Sequence, residues 1–210
     1  MTPPIWTAFD FDGTLTRRDT LLPFLRFGFG AARVALALGL ESPVLIGFAA
    51  GLVANDYAKQ RILRRVLGGA RQSVLVELGE RFARAIGPRQ LRADMIQRLR
   101  QHQRAGHRCV LVTASPAIYT RPWALRMGFA EVIATELEFD AAQRCTGRLV
   151  AGNCWGPEKA RRLQVFLRAQ ELRFAYGDSR GDREMLAMAR TGWRVDRQSP
   201  GPFVSIDPHA

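Results

Sequence analysis

The run Ile5-Trp6-Thr7-Ala8-Phe9-Asp10-Phe11-Asp12-Gly13-Thr14 decides the fold. Residues 5–9 form a short, mostly apolar stretch that reads as a buried β-strand. Two carboxylates, two residues apart, then emerge together at its C-terminal end, and Gly13 lets the backbone turn sharply. An open α/β sheet places its chemistry at that position. A carboxylate pair beside an anion-binding turn suits phosphoryl transfer through a covalent aspartyl intermediate. Taken alone, the pentapeptide from Asp10 to Thr14 also fits a strand-to-helix turn whose acids cap a helix.

Three further segments extend the pattern. Cys109-Val110-Leu111-Val112-Thr113 reads as a second buried strand, ending in a hydroxyl. Gly156-Pro157-Glu158-Lys159 opens a helix with a lysine in its first turn. Residues 173–182 run from a third strand into Gly177-Asp178-Ser179 and Asp182. Lys159 stands out for a separate reason. Of 31 basic residues only Lys59 and Lys159 are lysine, so composition has drifted to arginine. A lysine kept at such a place indicates that a compact ammonium is wanted there, although a solvated helix-start lysine is the plainer alternative.

The order Asp-x-Asp-Gly-Thr, apolar strand plus Thr, Lys, then Gly-Asp-Ser-x-x-Asp resembles the haloacid-dehalogenase-like superfamily over nearly the whole chain. A helical insertion directly after the first motif resembles its phosphoserine-phosphatase-like branch. The apolar insertion, Thr113-Ala114-Ser115-Pro116, the run from Asn153 to Lys159 and Trp193-Arg194-Val195 look most like phosphatidylglycerophosphatase C and its relatives. The Ala/Gly-rich insertion departs from that group in being less hydrophobic than a committed membrane anchor.

The chemistry follows from residue type. Asp10 is the expected nucleophile, and Asp12 the acid for the leaving alcohol and then the base for the hydrolytic water. Dehalogenating relatives lack an acid at the second position, so Asp12 points to phosphate esters. Two carboxylates facing a phosphate need a cation, and Mg²⁺ suits oxygen ligands and phosphate bridging, with Asp178 as the natural third acid. The resemblance adds the Asp12 carbonyl as a ligand and places Asp182 near the metal. Thr113 and Lys159 are expected to hold the non-bridging oxygens, alongside the turn at Gly13 and Thr14, with Ser115 as the substitute for Thr113. Asp19 falls where phosphoserine phosphatases carry an acid for the substrate's amino group; the plainer reading is a helix cap. Arg64 or Arg65 is a candidate for a substrate head group.

The chain of 210 residues suits one domain with a sizeable insertion. Strands alternating with helices predict a Rossmann-like, doubly wound parallel sheet of the α/β class. The predicted core is residues 1–16 and 91–210, and the predicted cap is the helical segment 17–90. Strands are expected at 109–113, 131–135, 174–177 and 193–195, a hairpin at 137–150, and helices at 91–103, 117–127 (disturbed by Pro122), 157–170 and 183–190. The tail beyond, with Pro200, Pro202 and Pro208, reads as irregular.

A formal charge of +12 implies an anionic partner: a phosphate ester or an anionic membrane surface. Nucleic acid is not expected, because the arginines are scattered and not interleaved with aromatics on one module. Three cysteines without metal-like spacing favour reduced thiols in the cytoplasm, and the first strand starts too early to leave room for a signal peptide.

Residues 34–54 carry one charge, Glu41, and one proline, Pro43. A straight helix of that length spans roughly 30 Å, enough for a bilayer core. A single crossing would separate Asp10 from Thr113, Lys159 and Asp178, which must meet around one phosphate. Pro43 divides the stretch into halves too short to cross, which leaves a re-entrant or interfacial hairpin, or a soluble helical cap. Three functional readings remain: a Mg²⁺-dependent lipid phosphatase at the inner membrane face, a soluble phosphatase or phosphotransferase of small metabolites, and a non-catalytic binding protein. Oligomeric state is not legible.

Overall fold

The computed structural model describes residues 4–196, so the proline-containing tail lies outside the described residues. Five parallel strands form the central sheet: β1 (Trp6–Phe9), β2 (Arg108–Pro116), β3 (Glu131–Thr135), β6 (Leu172–Gly177) and β7 (Thr191–Arg194), in the order β3-β2-β1-β6-β7. Two shorter strands, β4 (Leu137–Phe139) and β5 (Cys145–Leu149), make the antiparallel hairpin expected at 137–150. Around the sheet lie α6 (Ala93–Arg104), α7 (Ala117–Arg126), α8 (Pro157–Leu167) and α9 (Arg183–Met188). Between β1 and α6 come five helices: α1 (Leu21–Phe29), α2 (Ala31–Leu40), α3 (Ser42–Ala49), α4 (Asn55–Leu67) and α5 (Gln72–Ala85). This is a Rossmann-like α/β fold.

Strand alternation sorts the core into two layers. Trp6, Ala8, Val110, Val112 and Ala175 face one way and pack with Leu163 and Leu167 of α8 and Met185 of α9. Phe9, Leu111 and Tyr176 face the other way and join Leu99, Trp123 and the inner faces of α1, α4 and α5. Registration is what builds the site. Phe9 is level with Leu111 on one side and Tyr176 on the other, and the Asp10 N–H donates to the Tyr176 carbonyl at 2.9 Å. Asp10 therefore falls level with Val112 and Gly177, and Thr113 and Asp178 follow one residue beyond, so the three meet near the C-terminal edge of the sheet.

Several boundaries differ from expectation for local reasons. Helix α8 stops at Leu167, short of 170, because Arg168 adopts φ 55°. Strand β2 runs on to Pro116 after a register shift beyond Val112. Pro122 sits inside α7 without ending it. The carbonyl it deprives of a partner, that of Ile118, is met by Gly79 of α5, where a Cβ would stand 2.1 Å from the oxygen. The long apolar stretch breaks at Glu41, with Pro43 in the first turn of α3, and α2 and α3 meet at a 68° bend. Among the described residues no single helix is long and apolar enough to cross a membrane. Cys109, Cys145 and Cys154 are free and buried.

Candidate active site

Asp10 is buried at the end of β1, and its two oxygens have different partners. Oδ1 accepts from Lys159 Nζ at 2.7 Å, and Oδ2 accepts from Thr14 Oγ1 at 3.1 Å. Lys159 enters from the first turn of α8 and is 2% exposed. Its second partner is Asp182 Oδ1 at 2.5 Å. Asp182 is fixed in turn by the backbone N–H of Ser179 at 2.9 Å and the Ser179 hydroxyl at 2.7 Å, the capping box of the turn after β6. Asp178 lies across from Gly13, whose φ is +80° and whose missing side chain makes room: a Cβ there would lie 2.3 Å from an Asp178 carboxylate oxygen. Carboxylate oxygens of Asp10, Asp178 and Asp182 all fall within 4.8 Å of one another.

Formally these three acids and one ammonium leave the buried cluster two charges negative. Burial pushes the Asp10 pKa up to about 7, and the neighbouring Asp182 and Asp12 add to this against the pull of Lys159. Burial alone would lower Lys159, but Asp10 and Asp182 together hold it above its ordinary value, so the proton stays on the amine. Asp182 ends below the ordinary carboxylate range, because Lys159 and Ser179 outweigh its burial. An all-oxygen donor set with surplus negative charge fits a hard divalent cation such as Mg²⁺, held by Asp10, Asp178 and Asp182.

Asp12 points differently. Its Oδ1 accepts from the Thr20 N–H at 2.9 Å and the Thr20 hydroxyl at 2.7 Å, and its Oδ2 accepts from Ser115 Oγ. Burial and the nearby Asp19 raise its pKa to about 6. Thr113 is buried at the cleft floor, where its Oγ1 accepts the Ser115 N–H at 3.0 Å. Ser115 thus holds Asp12, while Thr113 lines the cleft beside Asp10.

A cleft of about 530 Å³ opens above these groups. Its floor includes Asp10, Asp12, Thr113 and Lys159, and its upper wall is apolar: Leu21, Leu22, Leu38, Leu45, Phe48 and Ile62 from α1–α4. Asp19 lines the cleft and also accepts the Leu21 N–H at 2.9 Å, so the capping and cleft positions coincide. Arg64 and Arg65 do not line it; Arg65 Nε is bound to Glu41 at 2.6 Å.

The cation of α4 that reaches the cleft is Lys59, which the sequence reading passed over. Its Nζ donates to the Ala114 carbonyl at 2.5 Å and to Asn153 Oδ1 at 2.9 Å, and burial pulls its pKa down to about 8. The signal was available, since Lys59 is the other lysine in an arginine-rich chain. Asn153 also meets Asn55 at 2.5 Å and accepts from Thr135 at 2.9 Å, tying α4 to the sheet.

The model of the family described as haloacid dehalogenase-like hydrolase matches residues 7–187. Protein CicA of Caulobacter vibrioides (strain NA1000 / CB15N) is 36% identical over 205 residues, covering 94% of this chain and 89% of that protein. A crystal structure of a protein with unknown function from Bordetella pertussis Tohama I superimposes with a TM-score of 0.73 at 25% identity, over 89% of this chain and 87% of that one. A phospho-aspartyl intermediate analogue of phosphoserine phosphatase superimposes with a TM-score of 0.62 at 16% identity, over 93% and 87% of the two chains, a likeness of fold.

Proposed function

The chain belongs to the haloacid dehalogenase-like hydrolase family, and from that premise we propose that it hydrolyses phosphate monoesters through an aspartyl phosphate on Asp10. The observation that carries this reading is the convergence of the Asp10, Asp178 and Asp182 carboxylates, with Lys159 bound to Asp10 and Asp182 and with Asp12 two residues beyond Asp10 and outside that cluster. Asp10 attacks phosphorus. A carboxylate oxygen–phosphorus bond forms and the ester oxygen–phosphorus bond breaks, while Asp12 gives its proton to the departing alkoxide. Water, deprotonated by Asp12, then releases inorganic phosphate and restores Asp10. Lys159 and the Thr113 hydroxyl offset charge on the phosphoryl oxygens. Asp10, Asp178 and Asp182 would hold Mg²⁺, which would supply further charge neutralisation at the phosphoryl group.

The metal site has a readout apart from turnover. In metal-free protein Asp178→Asn removes one of several crowded carboxylates and is expected to raise Tm slightly. Mg²⁺ at a hundredfold excess over Kd stabilises wild type by about 2.7 kcal/mol, several degrees in Tm, and this shift is lost in Asp178→Asn. A thermal melt with and without Mg²⁺ checks both signs. An unchanged shift in the variant would remove Asp178 from the metal site.

The cleft walls favour one substrate class, a phosphate ester bearing an apolar group. A lipid phosphate such as phosphatidylglycerophosphate is an instance. A small polar ester such as phosphoserine would leave Leu38, Leu45 and Phe48 uncovered. The outer surface of α2, α3 and the turn after α3 supports contact with an anionic membrane. Leu36, Leu40, Ile46 and Leu52 are 55–85% exposed. The one acid of this segment, Glu41, is turned inward and neutralised by Arg61 at 2.7 Å and Arg65 at 2.6 Å. That removes the main electrostatic objection to lipid contact.

Wild type is expected to sediment with phosphatidylglycerol vesicles and not with neutral ones, and Leu36→Glu/Ile46→Glu to stay in the supernatant. Phosphate release from phosphatidylglycerophosphate in mixed micelles should exceed that from phosphoserine. Preference for phosphoserine would return the apolar walls to a packing role.

A further inference from the structure

Asp12 belongs to a closed circuit of hydroxyls. Thr20 Oγ1 donates to Asp12 Oδ1 at 2.7 Å, and Tyr119 OH lies 3.0 Å from Thr20 Oγ1. Tyr119 OH donates to Ser115 Oγ at 2.9 Å, and Ser115 Oγ reaches back to Asp12 Oδ2. The same phenol therefore stands behind both hydroxyls that grip the carboxylate, and its single proton goes to one of them at a time, to Ser115 in this arrangement. Serine and threonine hydroxyls can turn between staggered positions, and only a partner on the far side fixes their direction. Tyr119 has no such freedom. It is fully buried, and its ring packs on Phe24 of α1 at 4.7 Å and Phe82 of α5 at 5.3 Å between centroids.

The four members come from separate parts of the fold. Asp12 follows β1, Thr20 precedes α1, Ser115 lies in β2, and Tyr119 is in the first turn of α7. Asp12 is therefore gripped from both sides only when α1 is seated against α7. A carboxylate that must deliver a proton to one oxygen of a bound ester gains rate from being aimed in advance.

We propose that Tyr119 is a positioning residue for the acid step: through Ser115 and Thr20 it holds Asp12 toward the leaving oxygen and makes that aim depend on the seating of α1. Tyr119 does not touch the substrate. Its influence appears where proton delivery limits the reaction. An alkyl phosphate expels a strongly basic alkoxide and needs the proton as the P–O bond breaks. A nitrophenyl phosphate expels a stable phenolate and needs it far less.

The test compares kcat/KM for an alkyl phosphate and for p-nitrophenyl phosphate in wild type, Tyr119→Phe and Thr20→Val, with Mg²⁺ present. Both variants keep the shape of the side chain, and a Tm within a few degrees of wild type establishes folding. The alkyl-to-aryl ratio of kcat/KM is expected to fall by up to about tenfold in Tyr119→Phe, the upper end of the loss for one hydrogen bond between neutral groups. Thr20→Val is expected to act in the same direction, and the double variant to lose less than the product of the two, since both act through one carboxylate. A ratio unchanged in both variants, or an equal loss on both substrates, would overturn the proposal, because a general packing defect does not distinguish leaving groups. The inference rests on the phosphatase reading, whose own failure looks different: wild type would then turn over neither ester.

Discussion

Asp10→Asn is expected to reduce Mg²⁺-dependent phosphate release by a factor on the order of 10⁶, to background, with little change in stability. Asparagine keeps the size of the side chain, and its carbonyl can still accept from Lys159, whose bond to Asp182 at 2.5 Å is untouched. The substitution also removes one like charge from a group whose burial and neighbours already drive its pKa up to about 7. The folded state thus loses repulsion along with an ion pair, and the two changes oppose each other. The reaction has no such compensation, because a neutral amide is a poor nucleophile and no other carboxylate can replace it. Asp12 points into the hydroxyl circuit with Thr20 and Ser115, and Asp182 is turned to Lys159 and Ser179. Phosphate release with Mg²⁺, measured on an aryl phosphate and on a lipid phosphate beside a thermal melt, separates the outcomes. Loss of turnover at unchanged Tm supports attack by Asp10. Retained turnover would move the chemistry to another residue and remove the aspartyl-phosphate mechanism.

What was legible in the sequence is whatever the sheet places by itself. Asp10, Thr113 and Asp178 each end a short apolar run, and a parallel sheet sets such ends side by side without reference to the rest of the chain. Lys159 was legible from its place one turn into a helix and from its rarity. Residues that enter the site from elsewhere were not. Lys59 lies mid-way along α4 in a sequence that reads as an ordinary amphipathic helix, and its partners Ala114 and Asn153 are distant in the chain. Tyr119 follows a strand on a helix interrupted by proline, where nothing local marks a phenol aimed at Asp12. Glu41 is the one charge of residues 34–54, and its inward turn toward Arg61 and Arg65 depends on the angle between α3 and α4. These are facts of helix packing, and helix packing angles are not written in the periodicity of a single helix.

Lys159→Met is expected to be the most damaging single change for the fold and to slow the reaction as well, and the two losses have one cause. Methionine matches the lysine side chain out to Cε, one atom short of the ammonium, and leaves no large cavity, so the effect reads on charge. With the ammonium gone, Asp10 and Asp182 remain buried beside Asp178 without an organic counterion. Breaking a buried ion pair from one side costs about 3–5 kcal/mol, and here one cation serves two partners, at 2.7 and 2.5 Å. Metal-free Lys159→Met should therefore melt far below wild type. Mg²⁺ stands in for part of the missing charge, so its stabilising effect should be larger in the variant than in wild type. This sign is opposite to that expected for Asp178→Asn. Activity should not return with the metal. A divalent ion among the carboxylates does not replace a donor aimed at the transferring phosphoryl group, and losing one such donor lowers kcat by about 10²–10³. Melting curves of metal-free and Mg²⁺-loaded protein, with kcat at saturating Mg²⁺, read both effects. If Mg²⁺ restored kcat along with Tm, Lys159 would be only a counterion that preserves the site until metal arrives, and the reading of it as a phosphate ligand would fall.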